Sequence, residues 1–473
     1  MSQPLPAAPR ADPAGYDLTG YDLTGDRPAV DRPGADCAAA DRMAVDYLSA
    51  RLPRSGGGPP RPRTLARMRR LVGALGSPQA RFPVIHVTGT NGKGSTVAMI
   101  AALLGQQGLR VGTYTSPHLV SVTERVVLAG RPVAAGTFAA AVRRVAAAAA
   151  AAEVDPTWFE VVTAAGLQVL ADAELDVAVI EVGALGRYDA TNVVDGAVSV
   201  VTNVELDHTD RAGPSRRDVG AEKAGIIRPG RPLVLGEPDP GLAPVFAAER
   251  PGQVLLVGRD LGWRRRRRSG SGWLVDLGTP WGRRADVWLG LAGQHQCANA
   301  AVALAAADAF LGRPTGRDAV DRALGRVFLP GRFEVVGRAP TVVLDGAHNP
   351  AAAGALGRTI DEELAGSGPR ALVLGMQGER SPVELAAGLG LHRFDHVVAT
   401  EPPSPRAWPA ADLAAAIGSE RLVPAVVADP VAAVRLAGRL VGAGGAVVVT
   451  GSLYLIGALR PVPAPNAWTR HAG

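Results

Sequence analysis

The stretch His86-Val-Thr-Gly-Thr-Asn-Gly-Lys-Gly-Ser95 follows an apolar run at 82–87 and opens an apolar helical pattern over 95–107. A glycine-rich turn between a strand and a helix aims backbone N–H groups and the positive end of the helix dipole at one spot. That arrangement holds phosphates, with a lysine reaching the outer ones. The spacing departs from the general phosphate-loop expression, because Val87 stands where the first glycine belongs and Gly94 intervenes before Ser95. The strand–turn–helix context makes Thr90, Asn91, Gly92, Lys93, Gly94, Ser95 and Thr96 candidate nucleotide contacts.

Lysine occurs twice in 473 residues, against 48 arginines. One is Lys93 and the other is Lys223, in Ala221-Glu-Lys-Ala-Gly-Ile226. A chain that uses arginine wherever a cation suffices keeps lysine where arginine fails. An ammonium is compact enough for a phosphate cradle, and its amine can be deprotonated and modified; guanidinium is a rigid fork that stays charged.

Outward from the loop, apolar strand-like runs recur at 111–114, 177–182, 197–201, 233–235 and 254–257, with helical patterns at 137–152 and 159–171 between them. A basic helical segment at 64–75 precedes the loop. Alternating strands and helices predict a mostly parallel sheet covered on both faces. Residues 263–289, carrying Trp263, Trp273, Trp281 and Trp288, read as β-hairpins at the far edge of this domain. A second series begins after Leu329-Pro-Gly-Arg-Phe-Glu334, with strands at 341–344, 371–374, 396–399, 422–427 and 446–450 and helices at 350–364 and 431–441. The fold class is therefore α/β in two domains: an N-terminal phosphate-loop domain with a mostly parallel sheet, and a smaller Rossmann-like C-terminal domain. The boundaries are 46–328 and 329–473, after a tail at 1–45 too rich in Pro, Gly, Ala and Asp to fold by itself.

Net charge is +6, spread along the chain, which permits acidic small molecules and does not demand nucleic acid. The run at 264–268 consists of five arginines without a clear aromatic stacking face and reads as a solvated edge. Two cysteines exclude a disulfide framework or a cysteine zinc site. No apolar stretch is long enough for a membrane span and the N-terminus shows no secretory pattern, so the expected setting is cytoplasmic.

The shortened loop, with glycine after the lysine, resembles the ATP loop of the Mur ligase superfamily, in its folate branch. The resemblance continues through Thr113-Tyr-Thr-Ser-Pro-His-Leu119, the segments at 180–192 and 201–210, Ala221-Glu-Lys-Ala-Gly-Ile226, Gly293-Gln-His-Gln-Cys-Ala-Asn299, Leu329-Pro-Gly-Arg-Phe333, Leu344-Asp-Gly-Ala-His-Asn-Pro350 and Thr450-Gly-Ser-Leu-Tyr454. In that order the segments are similar to the folylpolyglutamate synthase/dihydrofolate synthase family. The resemblance implies an ATP-dependent amide ligase, acting as a monomer, that joins L-glutamate to a folate or dihydropteroate carboxylate.

It further implies magnesium ligation by Ser116, Glu181 and His208, with catalytic roles for Lys93, His208 and Lys223. Lys223 would be carbamylated and would help place a second magnesium. ATP contacts would extend to Asn299, Arg332 and Asp345, with His348 and Asn349 shaping the same crevice. Thr157, Phe159 and Glu160 match the pteridine-side segment. Three departures bear on the substrate. Ala184 and Leu185 replace glycine-rich sequence, Glu205 adds a carboxylate, and Gly375-Met-Gln-Gly-Glu-Arg-Ser381 lacks a Lys-Asp pair. A ligase for another acidic metabolite, or a nucleotide-binding regulator whose catalysis has decayed, remains an alternative at this point.

Overall fold

The structure, a computed structural model, describes residues 43–51 and 64–460 apart from 271, 379 and 421. The tail read over 1–45 lies outside the described residues up to 42, and 43–49 are helical. The expected α/β architecture is present as two domains built on separate sheets.

The first sheet has eight strands: β1 (Val84–Thr88), β2 (Val111–Tyr114), β3 (Val126–Leu128), β4 (Arg131–Pro132), β5 (Val177–Glu181), β6 (Gly196–Val201), β7 (Leu233–Leu235) and β8 (Val254–Leu256). Their order is β4-β3-β2-β5-β1-β6-β7-β8. All pairings are parallel except β2–β3 and β3–β4. The antiparallel edge escapes the alternation rule because its two strands are very short. Central β1 and β5 are buried at every position and are mostly apolar without alternation, His86 and Thr88 in β1 and Glu181 at the end of β5 being buried polar residues. With the phosphate loop following β1 at the centre of the sheet, the loop lies where ligands bind in open parallel sheets, beyond the strands' carboxyl ends.

Residues 262–289 form a sheet of their own, β9 (Gly262–Ser269), β10 (Gly272–Thr279) and β11 (Gly282–Leu289), antiparallel in the order β11-β10-β9. Its inner face packs on the alanine-rich helix Gln294–Leu311, which also backs the loop helix Lys93–Gly105. Four of the five arginines in the run are exposed on the edge strand β9, as a solvated edge requires, and Arg265 is the exception. Arg265 stacks on the Trp273 ring at 3.7 Å and forms a two-pronged ion pair with Glu362 at 2.7 and 2.8 Å. Arg268 reaches Glu363 at 2.9 Å, and Trp273 donates to the same carboxylate at 2.8 Å. Both glutamates end the helix Pro350–Glu363 of the C-terminal domain, so the small sheet clasps that domain.

The third sheet comprises β12 (Glu334–Arg338), β13 (Thr341–Leu344), β14 (Arg370–Leu374), β15 (His396–Ala399), β16 (Ala425–Val426) and β17 (Ala446–Thr450) in the order β12-β13-β17-β14-β15-β16. Only β12 runs antiparallel. Among the described residues no helix is long and apolar enough to cross a membrane.

Candidate functional site

The loop after β1 is braced from β6. Thr202 Oγ1 and Asn203 Nδ2 donate to the Asn91 carbonyl at 2.6 and 3.2 Å, while Asn203 Oδ1 accepts the Asn91 N–H at 2.9 Å. Thr90 Oγ1 and the Glu205 backbone exchange bonds at 2.9 and 3.1 Å. Gly92 caps the following helix in the left-handed region at φ 80°, and a Cβ there would come within 2.5 Å of Asn299 Oδ1. Glycine is required on both counts. The first turn of that helix carries neither a side-chain cap nor an acidic residue, which leaves its N–H groups and dipole for an anion. Lys93 Nζ folds back over the loop and donates to the carbonyls of Gly89 and Thr90, each at 3.1 Å. Asn299, expected on the nucleotide's base side, lies against the loop turn, bonded to Gln296, which itself donates to Ser95 Oγ at 3.5 Å.

Ser116 and Glu181 are brought together. The Ser116 N–H donates to Glu181 Oε2 at 3.0 Å, and that oxygen would lie 3.5 Å from a Cβ on Gly94. Glu181 ends β5 and is buried. Desolvation lifts its carboxyl above the usual range, against the pull of Lys93, the Ser116 N–H, Arg332 and Arg125. Ser116 Oγ is buried without a hydrogen-bond partner, and so is Thr96 Oγ1. Such orphaned oxygens call for a partner the protein does not supply. A buried carboxylate beside an orphaned hydroxyl is a donor set that suits a hard divalent cation. Among the described residues no group of three or more His, Cys, Asp or Glu side chains forms a metal cage, so a cation here relies on the hydroxyl and on ligand oxygens.

His208 stands on a different loop, after β6, with φ 53°. Burial, partly offset by Asp207, lowers its imidazole below the ordinary value and favours the neutral, ligating form. It touches neither Ser116 nor Glu181 in any hydrogen bond among the described residues; what it shares with Glu181 is the Lys93 field. Lys223, on the helix Arg216–Ala224, is 2% exposed. Burial first, and then the positive field of Lys93, bring its ammonium down to about 7, with Asp207 pulling the other way. The positive field of Lys93 thus reaches Glu181, His208 and Lys223 around the crevice beyond the phosphate loop.

The C-terminal domain closes that crevice. Asn349 caps the helix Pro350–Glu363 through Ala352 at 2.8 Å and exchanges amide bonds with Asn91. Arg332 reaches its own neighbour's carbonyl, Gly331 O, at 3.1 Å, and its charge acts on both Glu181 and Asp345. Asp345, expected as a nucleotide contact, is held in place by backbone N–H groups. Its two oxygens accept the N–H groups of Phe333 and Ala347, each at 2.8 Å, and so pin the left-handed turn at Phe333. The His348 Nδ1–H donates to Gly346 O at 2.7 Å, and burial followed by the Arg380 charge pushes its imidazole down to about 4.

Beyond Ser116 lies a partly apolar wall. Arg125 donates to His118 Nδ1 at 3.0 Å and lies 5.0 Å over the Trp158 ring. Phe159 packs against Gly183, where a Cβ would meet it at 2.3 Å. Thr157 and Glu160 form a capping box on the helix Trp158–Asp172, and Glu160 also binds Arg67 at 2.7 Å. Those two residues are occupied by the fold. Leu185 takes a left-handed φ of 62°, yet its side chain is buried with Val201, Val204 and Val219, away from the crevice. Asp207 and Arg380 were not foreseen as site residues. Asp207 precedes His208 in sequence, while Arg380 carries no local signal beyond the missing Lys-Asp pair.

Comparisons with known proteins follow the same geography. A family described as "Mur ligase middle domain" matches residues 87–307, and "Mur ligase, glutamate ligase domain" matches residues 331–453. The dihydrofolate synthase/folylpolyglutamate synthase of Mycobacterium tuberculosis is 36% identical over 443 residues, covering 84% of this chain and 89% of that one. The structure of that organism's folylpolyglutamate synthase complexed with ADP superposes with a TM-score of 0.82 at 34% identity, covering 92% of this chain and 99% of the other. Escherichia coli FolC in complex with DHPP and ADP gives 0.79 at 32% identity, over 89% and 97% of the two chains. The Yersinia pestis bifunctional enzyme, complexed with AMPPNP and a Mn ion, gives 0.79 at 31% identity, over 91% and 98%.

Proposed function

The chain belongs to the folylpolyglutamate synthase/dihydrofolate synthase family of the Mur ligases and is an ATP-dependent glutamate ligase of that family; we propose that it joins L-glutamate to dihydropteroate, to folyl-glutamates, or to both. The observation that carries the reading is the uncapped start of the loop helix, with Lys93 folded over the phosphate loop and the Ser116–Glu181 pair lying against Gly94 of the same turn. We place the change of domain near residue 328 and infer that the chain acts as a monomer.

A carboxylate does not acylate an amine in water, so ATP first converts it to an acyl phosphate. The uncapped N–H groups at the start of the helix Lys93–Gly105 hold the phosphates, and the Lys93 ammonium neutralises the outermost. Ser116, Glu181 and His208 would hold magnesium, which supplies charge neutralisation at the transferred phosphoryl group. Lys223 is the buried amine that can be neutral near pH 7, as reaction with carbon dioxide requires; the amine gains a carboxylate and releases one proton. The carbamate so formed would add an anionic oxygen for a second cation. The wall of Arg125, His118, Trp158 and Phe159 beside Ser116 suits a flat heteroaromatic acceptor. Contacts between Asn91 and Asn349 exclude water while the acyl phosphate exists. Glutamate's amine then attacks the acyl carbon, phosphate leaves, and an amide and ADP remain.

The test is ADP release measured with acceptor and glutamate supplied singly and together, with product masses. Release that requires both, and a product heavier by one glutamyl residue, is expected. ADP release without glutamate, or none with any folate acceptor, overturns the reading.

A further inference from the structure

Arg380 crosses from the C-terminal domain to the loop that carries His208. Its Nη2 lies 3.3 Å from Asp207 Oδ1, and the two side chains are 29% and 14% exposed. The same Oδ1 accepts the backbone N–H of His208 at 3.0 Å, so one oxygen carries both the ion pair and the turn. That turn is left-handed at His208, a conformation disfavoured for a non-glycine residue. Asp207 is also the carboxylate whose field acts on His208, Lys223 and His348. Released from Arg380, it would remain in the field of Lys93, and would draw on the ammonium that the phosphates need.

We propose that Arg380 is a positioning residue for ligation: its guanidinium holds the Asp207 carboxylate, and through it the turn that presents His208, once the two domains meet. The proposal rests on the crevice being the ligase site. Arg380 is not needed to hold the domains together. Arg265 and Arg268 already bind Glu362 and Glu363 on the far side of the interface, and Asn91 pairs with Asn349 nearer the site. A purely structural ion pair at this place would therefore be redundant.

The test uses the full chain with Arg380→Met, Arg380→Lys, Asp207→Asn and the double substitution Asp207→Asn/Arg380→Met. Amide hydrogen exchange over 204–212 is followed without ligands, beside steady-state kinetics. Arg380→Met should speed exchange in that segment about tenfold, the equivalent of roughly 1.4 kcal/mol of local stability. It should lower kcat about 10- to 100-fold with KM for ATP within about twofold. Arg380→Lys should recover most of both effects, and the double variant should be no worse than Asp207→Asn alone. Should Arg380→Met fail to fold, Arg380→Gln, closer in polarity, replaces it in the same comparisons. Wild-type exchange and kcat in the neutral variant, or losses that multiply in the double variant, overturn the proposal. Absence of ADP release from the wild type would instead overturn the ligase reading, and the exchange measurement still decides the role of Arg380.

Discussion

Asn349 Nδ2 donates to Asn91 Oδ1 at 2.9 Å, and Asn91 Nδ2 returns a bond to Asn349 Oδ1 at 3.3 Å. The pair joins the phosphate loop of one domain to a helix N-cap of the other, because Asn349 Oδ1 also accepts the Ala352 N–H. One side chain thus ends a helix and closes the crevice. Asn349→Asp keeps the capping oxygen but loses the donor and sets a negative charge beside the phosphate loop. Thermal stability should stay within about 0.5 kcal/mol of wild type, while affinity for ATP falls several-fold. Asn349→Ala should lose both, with about 1–2 kcal/mol of stability lost to the missing cap. Equal ATP affinity in the aspartate variant, measured by nucleotide titration, would show that the pair plays no part at the loop.

Lys93 Nζ sits between two carbonyls of its own loop, Gly89 and Thr90. A guanidinium is planar and cannot lie in the same fold-back without losing one of these acceptors. Lys93→Arg should retain a wild-type melting temperature and release ADP at a rate at least about 100-fold lower. Turnover near wild type in this variant removes Lys93 from the chemistry.

Glu181 is a carboxylate that the unliganded fold holds at a cost. Its folded value lies above its unfolded one, so the folded state binds more protons across that window. Stability contributed through this group therefore falls as pH rises from the ordinary carboxylate value through the raised one. Glu181→Gln removes the charge and keeps the shape. The variant should be as stable as wild type or more so at neutral pH, with the advantage growing across that window, and it should need far more magnesium for ADP release. A less stable variant whose magnesium titration matches wild type would remove Glu181 from the metal site.

How much of this was legible depends on whether the cause was local. The presence of β1, β2, β5 and β6 follows from largely apolar runs buried in a covered sheet, and such runs announce themselves, while their order in the sheet does not. The short β3 and β4 do not, because two or three residues carry no period. The arginine run hides its exception: Arg265 stacks on Trp273 and grips Glu362, and that partner lies in another domain. Asp345 shows a contact that the motif does not announce: its two oxygens accept the N–H groups of Phe333 and Ala347. Leu185 reads as bulk in a binding loop, whereas its side chain is buried beneath that loop. Arg380 and Asp207 meet only through the domain interface, which no spacing along the chain encodes.

Lys223 gives the sharpest test, since its role depends on an amine that is both buried and neutral. Burial, with Lys93 adding to it, places the folded value at about 7 against an ordinary 10.5. Below about 7 the group is charged in both states and the full cost of burying an ammonium is present. Between there and the ordinary value the unfolded chain binds more protons than the folded one, so stability rises with pH and then levels off. In carbon dioxide-free buffer, wild type should therefore gain stability relative to Lys223→Met as pH is raised from 7 through 9, read by urea unfolding. With bicarbonate present the neutral amine is the form that takes up carbon dioxide, so wild-type activity should depend on added bicarbonate and Lys223→Arg should stay inactive under both conditions. Partial rescue of Lys223→Ala by acetate would follow from the same anion being supplied from solution. An active arginine variant, or a stability difference flat with pH, would leave Lys223 an ordinary buried cation and take the carbamate out of the reaction.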